Sequence, residues 1–66
     1  MARWTVERDD GTKETAPNKG TAWNKGIAYC HRAYDRGAKV AGVNLSYQGK
    51  RKAHIWYDGQ LSYIEY

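Results

Sequence analysis

Residues 21–37 (TAWNKGIAYCHRAYDRG) constrain the fold most, because apolar residues recur there at the three- and four-residue spacing of a helix. The side chains that would share the apolar side are Trp23, Ile27, Cys30 and Tyr34. Those that would share the opposite side are Lys25, Tyr29, Arg32 and Arg36. The pattern predicts a single helix with one face for a core and another that shows three cations and a phenol to solvent.

Both ends of this predicted helix carry suitable residues. Thr21 can act as the N-cap, since its hydroxyl can accept a hydrogen bond from a free N–H of the first turn. Gly37 suits the position that follows the last turn. Gly26, inside the helix, costs roughly 1 kcal/mol relative to alanine. Either its small size lets the helix lie close to a sheet, or it is a tolerated weakness.

Four other segments alternate as strands do, or end in turn residues that bound a strand. The predicted strands cover residues 3–8, 39–47, 52–57 and 60–66. In the second of them, one face carries Ala41, Val43, Leu45 and Tyr47. Residues 12–20 (TKETAPNKG) are polar and contain the only proline, so they form either a loop or a poor extra strand, TKET, paired with the first.

These elements predict an α+β fold in one small domain, residues 1–66. Its single helix packs on one face of a mainly antiparallel sheet of three to four strands, in the order β-loop-α-β-β-β. The strands on either side of the helix should be parallel if they are adjacent. No element is left to cover the other face of the sheet, so that face either stays in contact with water or binds a partner.

The register of the last hairpin decides which side chains that uncovered face carries. If Asp58 and Gly59 alone form the loop, Trp56 opposes Leu61 and both faces are mixed. If the turn contains a bulge at Gly59, Ile55 opposes Leu61 and the faces separate cleanly. The bulged form is preferred. It places Ala53, Ile55, Leu61 and Tyr63 under the helix with Val43 and Leu45. It turns His54, Trp56, Ser62 and Ile64 away.

Charge is unevenly distributed along the chain, whose net charge is +4. Residues 17–57 hold eight Lys and Arg side chains against Asp35 alone, which leaves +7 there. Such a segment attracts polyanions or acidic protein surfaces, although excess charge also simply keeps small proteins soluble. Arg32 and Arg36 have a structural reason as well, since cations near a helix C-terminus interact favourably with its dipole.

Nothing in the sequence indicates catalysis, a metal site or a cofactor. Cys30 and His31 are neighbours on the helix and point about 100° apart, so they cannot pair as nucleophile and base. Two histidines and one cysteine lack the spacing of a zinc site.

A lone cysteine on an apolar helix face fits a reducing, cytoplasmic location. No apolar run approaches the length of a membrane span or a signal sequence. The chain is therefore expected not to be an enzyme.

The basic clusters predict a binding function. The predicted binding residues on the helix are Lys25, Tyr29, Arg32 and Arg36. Those in the turn before the third strand and on that strand are Lys50, Arg51, Lys52, His54 and Trp56. Lys and Arg at this density contact phosphates, and neighbouring aromatic rings stack on bases. If the second strand runs antiparallel to the helix, residues 50–52 lie near its amino end, and the two clusters could form one band with Lys25 and Lys19.

Two hypotheses follow from these residues. The first is a small non-enzymatic module that binds nucleic acid, DNA or RNA, through backbone phosphates and aromatic stacking. The second is a small accessory protein, virus-like in its style, that docks on an acidic surface of a larger host protein and inhibits or adapts it. Homodimerisation through the uncovered sheet face is a further possibility.

Overall fold

The protein has the predicted α+β architecture, with one helix packed on one face of an antiparallel sheet. A computed structural model describes residues 3–66. Met1 and Ala2, which the predicted domain includes, lie outside the described residues. The elements are β1 (Trp4–Arg8), β2 (Lys13–Ala16), α1 (Lys19–Asp35), β3 (Ala41–Tyr47), β4 (Lys50–Tyr57) and β5 (Leu61–Glu65). The polar segment after β1 therefore contains a strand, and the order is β-β-α-β-β-β.

The sheet has five strands rather than three to four, in the spatial order β2-β1-β3-β4-β5. All neighbouring pairs are antiparallel, including β1 with β3, where Val6 pairs with Leu45. The predicted parallel pairing of the two strands that flank the helix is therefore wrong. The reason is β2, which reverses the chain once more before the helix begins, so that β3 runs back against β1.

The N-cap of the helix lies three residues earlier than predicted, and the helix ends with a standard glycine motif. Asn18 is the N-cap, and its Oδ1 accepts from the backbone N–H of Thr21 at 2.8 Å. Thr21 is therefore inside the helix and not its cap. At the other end, Ala38 N–H donates to Ala33 O at 3.1 Å and Gly37 N–H donates to Tyr34 O at 3.0 Å. This is a Schellman motif, and it confirms the predicted role of Gly37.

The core lies between the helix and the central strands. Its buried side chains are Val6, Ala16, Ala22, Cys30, Ala41, Val43, Leu45, Ala53 and Ile55. The predicted stripe on the helix is rotated: the buried line runs through Ala22, Gly26 and Cys30. Trp23 and Ile27 are only partly buried, and Tyr34 is 37% exposed. Small residues occupy the centre of the contact because the helix lies close to the sheet.

Gly26 shows how close this approach is. A Cβ atom at this position would lie 2.8 Å from Val43 Cγ2 and 3.5 Å from Ile55 Cδ1. The first distance is shorter than any normal carbon–carbon contact, so only glycine fits without a shift of the helix or of Val43. Of the two predicted explanations for Gly26, the close approach of helix and sheet is therefore the one that holds.

The last hairpin adopts neither of the two predicted registers. Tyr57 pairs with Leu61 and Ile55 with Tyr63, so the loop is residues 58–60. Relative to the preferred bulged form, the pairing is shifted by two residues. Such a shift preserves the faces, because side chains alternate with a period of two. The predicted division of side chains between the two faces therefore stands.

Two predicted core residues in this hairpin are not buried. Leu61 and Tyr63 lie on the helix side of the sheet but are 38% and 59% exposed. The helix packs over β1 to β4, whereas β5 forms the edge of the sheet beyond it. Trp23 reaches across to Tyr63, with the two rings edge to face at a centroid distance of 5.1 Å. The edge strand is therefore covered only in part.

Candidate nucleic-acid interface

The predicted binding residues fall on two surfaces on opposite sides of the sheet. The helix cleft lies between α1 and the β1–β2 hairpin and contains Lys25, Tyr29, Arg32 and Arg36. The open face is the side of the sheet turned away from the helix, and residues of β4 provide its basic and aromatic part. Because β1 and β3 separate β2 from β4, the Lys25 end of the helix cleft and residues 50–52 do not form the continuous band predicted from the sequence.

Acidic side chains of the β1–β2 hairpin neutralise much of the helix cleft. Lys25 Nζ lies 2.6 Å from Glu14 Oε1, and Arg8 pairs with the other oxygen of the same carboxylate. This arrangement lowers the pKa of Glu14, mainly through the hydrogen bond from Lys25. Lys25 is therefore an internal partner of the hairpin, and its charge is less available to a ligand than its position in the sequence suggested.

Tyr29 also serves the fold rather than pointing freely outward. Its hydroxyl donates a hydrogen bond to Asp9, whose other oxygen accepts from the backbone N–H of Gly42 at 3.0 Å. The hydrogen bond to Asp9, together with burial of the ring, raises the pKa of Tyr29 to about 12. The guanidinium of Arg8 lies 5.6 Å from the centre of the same ring. These contacts join β1, the helix and β3.

Arg32 and Arg36 are the predicted helix residues whose charges remain accessible in the helix cleft. Both are exposed, and neither forms an ion pair with any residue in the range 3–66. They line a cleft of about 440 Å³ together with Arg8, Asp10 and Tyr29. Thr12 donates to Asp10 through both its hydroxyl and its backbone N–H, which lowers the pKa of that carboxylate. A negative group therefore stands beside the two arginines.

The open face consists of cross-strand rows fixed by the register of the sheet. The first row is Thr15, Thr5, Ser46 and Arg51. The second row is Lys13, Glu7, Asn44, His54 and Ile64. The third row is Gly42, Trp56 and Ser62. Lys13 and Glu7 pair at 3.4 Å, so the uncompensated positive charge of these rows is at Arg51.

His54 and Trp56 form an aromatic pair near the centre of the open face. Their ring centroids are 5.5 Å apart and the rings are inclined by only 26°. His54 Nδ1 lies 2.8 Å from Asn44 Oδ1, which fixes the imidazole in its plane. Gly42 leaves room for that ring, since a Cβ at this position would lie 3.3 Å from His54 Cε1. The pair is therefore held in place and still partly exposed.

The basic residues of β4 stand at one end of the same strand. Lys50, Arg51 and Lys52 are all exposed and follow a two-residue turn in which Gln48 and Gly49 have φ values of +52° and +78°. The pairing of β3 with β4 shifts here, so Lys52 is the extra residue of a bulge. Along β4 the chain therefore passes from three cations to His54 and Trp56, over roughly 20 Å at the rise of a strand.

Two residues of these surfaces were not selected from the sequence. Asn44 orients His54, and the alternation of residues 41–47 already placed it on the face of His54 and Trp56. The sequence feature that could have identified Asn44 is that it is a polar residue between the small residues Gly42 and Ser46 on that face. Arg8 contacts Glu14, Thr12 and Tyr29. Its role depends on β2, and the sequence did not distinguish that strand from a loop.

The remaining chemistry of the described residues is sparse. Within residues 3–66, no three His, Cys, Asp or Glu side chains converge as they would around a metal ion. Cys30 is buried, and burial raises the pKa of its thiol to about 11. The same range contains no helix with the length and apolar character needed to cross a membrane. Comparison with known protein families, curated proteins and solved structures finds no significant match.

Proposed function

We propose that the protein binds single-stranded nucleic acid on its open face, along β4. The observation that carries this proposal is the fixed, partly exposed pair of His54 and Trp56 in line with Arg51 and Lys52 on one strand. The aromatic rings stack on bases, and the cations contact the phosphates that join those bases. Neither group requires a metal ion or a cofactor.

The geometry favours a single strand over a duplex. Stacking on Trp56 requires a base whose face is free, and the bases of a duplex are stacked on one another. Among residues 3–66, the one helix lies on the other side of the sheet, so the open face offers no helix that could enter a groove. Duplexes therefore contact the cations alone and bind more weakly.

The open face is also the better choice because its charges are free. Of the predicted helix residues, Lys25 and Tyr29 are engaged with Glu14 and Asp9. Arg32 and Arg36 lie on the other side of the sheet, so a short strand on β4 does not reach them. The proposed binding residues of the open face are therefore Arg51, Lys52, His54 and Trp56. Lys50 pairs with Tyr47 and so lies on the helix side, which corrects its prediction as part of the same surface.

Fluorescence anisotropy with short labelled DNA and RNA strands, and with the matching duplexes, tests the proposal at two or more salt concentrations. We expect tighter binding of single strands and an association constant that falls as salt rises. Replacing Trp56 by alanine should weaken single-strand binding by about fivefold to a hundredfold, the range for loss of one stacked base. Removing Arg51 and Lys52 together should reduce the salt dependence by about two released counterions.

The helix provides a matched control. A double variant with Arg32→Ala and Arg36→Ala removes the same charge as one with Arg51→Ala and Lys52→Ala, but on the opposite side of the sheet. It should leave the salt dependence nearly unchanged. An equal effect of the two double variants would show that net charge and not β4 drives binding. Absence of any binding at low salt would refute the proposal altogether.

The alternative hypothesis, docking on an acidic surface of a larger protein, makes a different prediction for the same reagents. Under that hypothesis the chain captures a stoichiometric protein partner from a nuclease-treated lysate, and the Trp56→Ala variant loses it. Oligonucleotides then neither bind the chain nor compete with the captured protein. The anisotropy experiment therefore separates the two hypotheses before any partner is identified.

A further inference from the structure

We propose that two copies of this chain associate through β5, which pairs antiparallel with the β5 strand of a second copy and joins the two sheets into one. The inference concerns the free edge of the sheet, not the open face, and it stands whether or not the open face binds nucleic acid. It rests on the exposure of β5, on the direction of its backbone groups and on the match of the strand with itself.

The two edges of the sheet differ in how they are protected. At one edge, β2 has only four residues, carries Lys13 and Glu14, and is followed by Pro17. Short length, charge and proline are the usual protections against pairing with another strand. At the other edge, β5 has no lysine, arginine or proline and no irregularity in its pairing with β4. Its one charged residue, Glu65, is already paired with Lys19 at 3.0 Å.

β5 exposes large apolar side chains on both faces of the sheet. Leu61 and Tyr63, on the helix side, are 38% and 59% exposed, and Ile64, on the open face, is 48% exposed. A helix docked on the sheet would cover one of these faces only. An added strand, by contrast, brings side chains to both faces at once. The exposed apolar side chains of β5 are therefore best covered by a strand that itself carries apolar residues on both faces, as a second β5 does.

The backbone shows which residues would pair. Tyr66 N–H donates to Lys52 O at 3.0 Å, so the even-numbered residues of this strand direct their N–H and C=O groups toward β4. Those of Leu61, Tyr63 and Glu65 then point to the free edge. A twofold axis at Tyr63 pairs that residue with itself and Leu61 with Glu65 of the second copy. This register uses all the outward groups, in about six hydrogen bonds.

The side chains match in the same register. On the helix side, Tyr63 meets its own copy, and each Tyr63 ring already packs edge to face on Trp23, so the two aromatic pairs form one layer. On the open face, Ile64 lies opposite Ser62 and diagonal to the second Ile64. Because β5 carries no net charge once Glu65 has paired with Lys19, the positive charge of the chain does not oppose the contact. Such a symmetric contact closes as a dimer and does not extend further.

Sedimentation velocity over a range of concentrations tests the proposal with charge-swapped variants. The unmodified chain should pass from monomer to dimer as its concentration rises. Tyr63→Lys and Tyr63→Glu each place like charges opposite one another on the axis and should weaken the dimer at least about tenfold. An equimolar mixture of the two should restore a dimer, because Lys then faces Glu. Val40→Lys, at a residue that is 56% exposed and outside the strands, is the matched control and should dimerise normally.

Amide hydrogen exchange of the unmodified chain provides a test that needs no variant. Raising the concentration should slow the exchange of the outward amides of Leu61, Tyr63 and Glu65, and leave the inward amides of Ser62 and Ile64 unchanged. A chain that stays monomeric at all concentrations would overturn the proposal. So would a Tyr63→Lys variant that dimerises like the unmodified chain, or a mixture no better than either variant alone.

Discussion

Gly26 sets the distance between the helix and the sheet. The backbone of the helix rests directly on Val43 and Ile55 there, because a side chain is missing. In most helices glycine is a weakness, since it has more conformational freedom to lose on folding. Here that cost is exchanged for close packing, which allows a chain with few large aliphatic residues to bury Leu45 and Ile55 completely.

Replacing Gly26 by alanine is therefore expected to destabilise the protein, although alanine is the best helix former. The added Cβ would stand 2.8 Å from Val43 Cγ2, and overpacking of this kind costs about 1 to 3 kcal/mol, against a gain of about 1 kcal/mol in helix propensity. Urea denaturation would show a net loss of about 1 kcal/mol in the free energy of unfolding.

Gly20 provides the control for this substitution. It lies in the same helix, and a Cβ there would have an ordinary contact of 3.5 Å with Asn18 Oδ1. Gly20→Ala should be neutral or stabilising. If both variants stabilised the protein equally, the close approach at Gly26 would not contribute to the free energy of unfolding.

Tyr29 shows the limit of reading a binding surface from helical spacing. Its spacing placed it correctly on the side of Lys25, Arg32 and Arg36, but spacing does not say what lies opposite. Asp9 comes from a turn far away in the sequence, and it reaches Tyr29 because β1 lies inside the sheet, between β2 and β3. A predicted ligand contact therefore became an internal hydrogen bond, through a partner that local periodicity does not reveal.

At the level of elements, the start of the helix depends on Asn18. Its side chain accepts from Thr21 N–H, while its extended backbone, with φ of −153°, leads the chain out of β2. Asn18→Ala should lower the free energy of unfolding by about 1 kcal/mol, the usual effect of losing such a cap. Thermal or urea denaturation monitored by circular dichroism measures the change.

Thr21 is the matched comparison, because the sequence alone made it the candidate cap. Thr21 lies within the helix, where alanine has the higher propensity, so Thr21→Ala should change stability little. A larger loss for Thr21→Ala than for Asn18→Ala would place the start of the helix at the residue that the sequence suggested and not at the one that the structure shows.

The strands show what alternation determines and what it does not. The faces of β1, β3, β4 and β5 follow from the period of two, so His54 and Trp56 were correctly assigned to one side and Val43, Leu45 and Ile55 to the other. The order and direction of the strands depended on β2. This strand has four residues and one buried side chain, Ala16, too little pattern to separate it from a loop. The exposure of Leu61 and Tyr63 likewise depends on which strands the helix covers, and β5 is not among them.

In the whole molecule, the acidic and basic segments of the sequence pair with each other in the fold. The acidic hairpin folds against the helix, where Glu14 joins Lys25 and Arg8. Part of the positive charge of residues 17–57 is thereby neutralised within the fold. The part that stays free lies on β4 and at the C-terminal half of the helix. The net charge of residues 17–57 therefore overestimates how basic the surface is on the helix side of the sheet. It does not overestimate the basic surface on β4, whose cations stay free.

This arrangement predicts how stability responds to acid. The pKa of Glu14 is lowered in the folded chain from its ordinary value of 4.5, chiefly by the hydrogen bond from Lys25. A carboxylate of this kind stabilises the fold above its ordinary pKa, and the contribution is lost as the pH falls through the lowered value. Glu14→Gln should therefore reduce stability at neutral pH and flatten its decline below about pH 4.5.

Urea denaturation at several pH values would measure both effects. The curves of the unmodified chain and of the Glu14→Gln variant should differ at neutral pH and converge in strong acid, where both side chains are uncharged. Parallel curves over the whole acid range would mean that Glu14 does not couple the hairpin to the helix.

The position of β1 has a consequence for how the chain reaches this fold. β1 leaves the ribosome before the other four strands of its sheet, yet one of its two neighbours is β3, which ends at Tyr47. Because synthesis proceeds from the amino end, the β1–β2 hairpin cannot pair with β3 until the helix and β3 have emerged. The β3–β4–β5 meander has only short connections, and the cheaper closure of such loops favours its early formation. Of the five strands of this sheet, the one that is made first is therefore among the last to gain all of its neighbours.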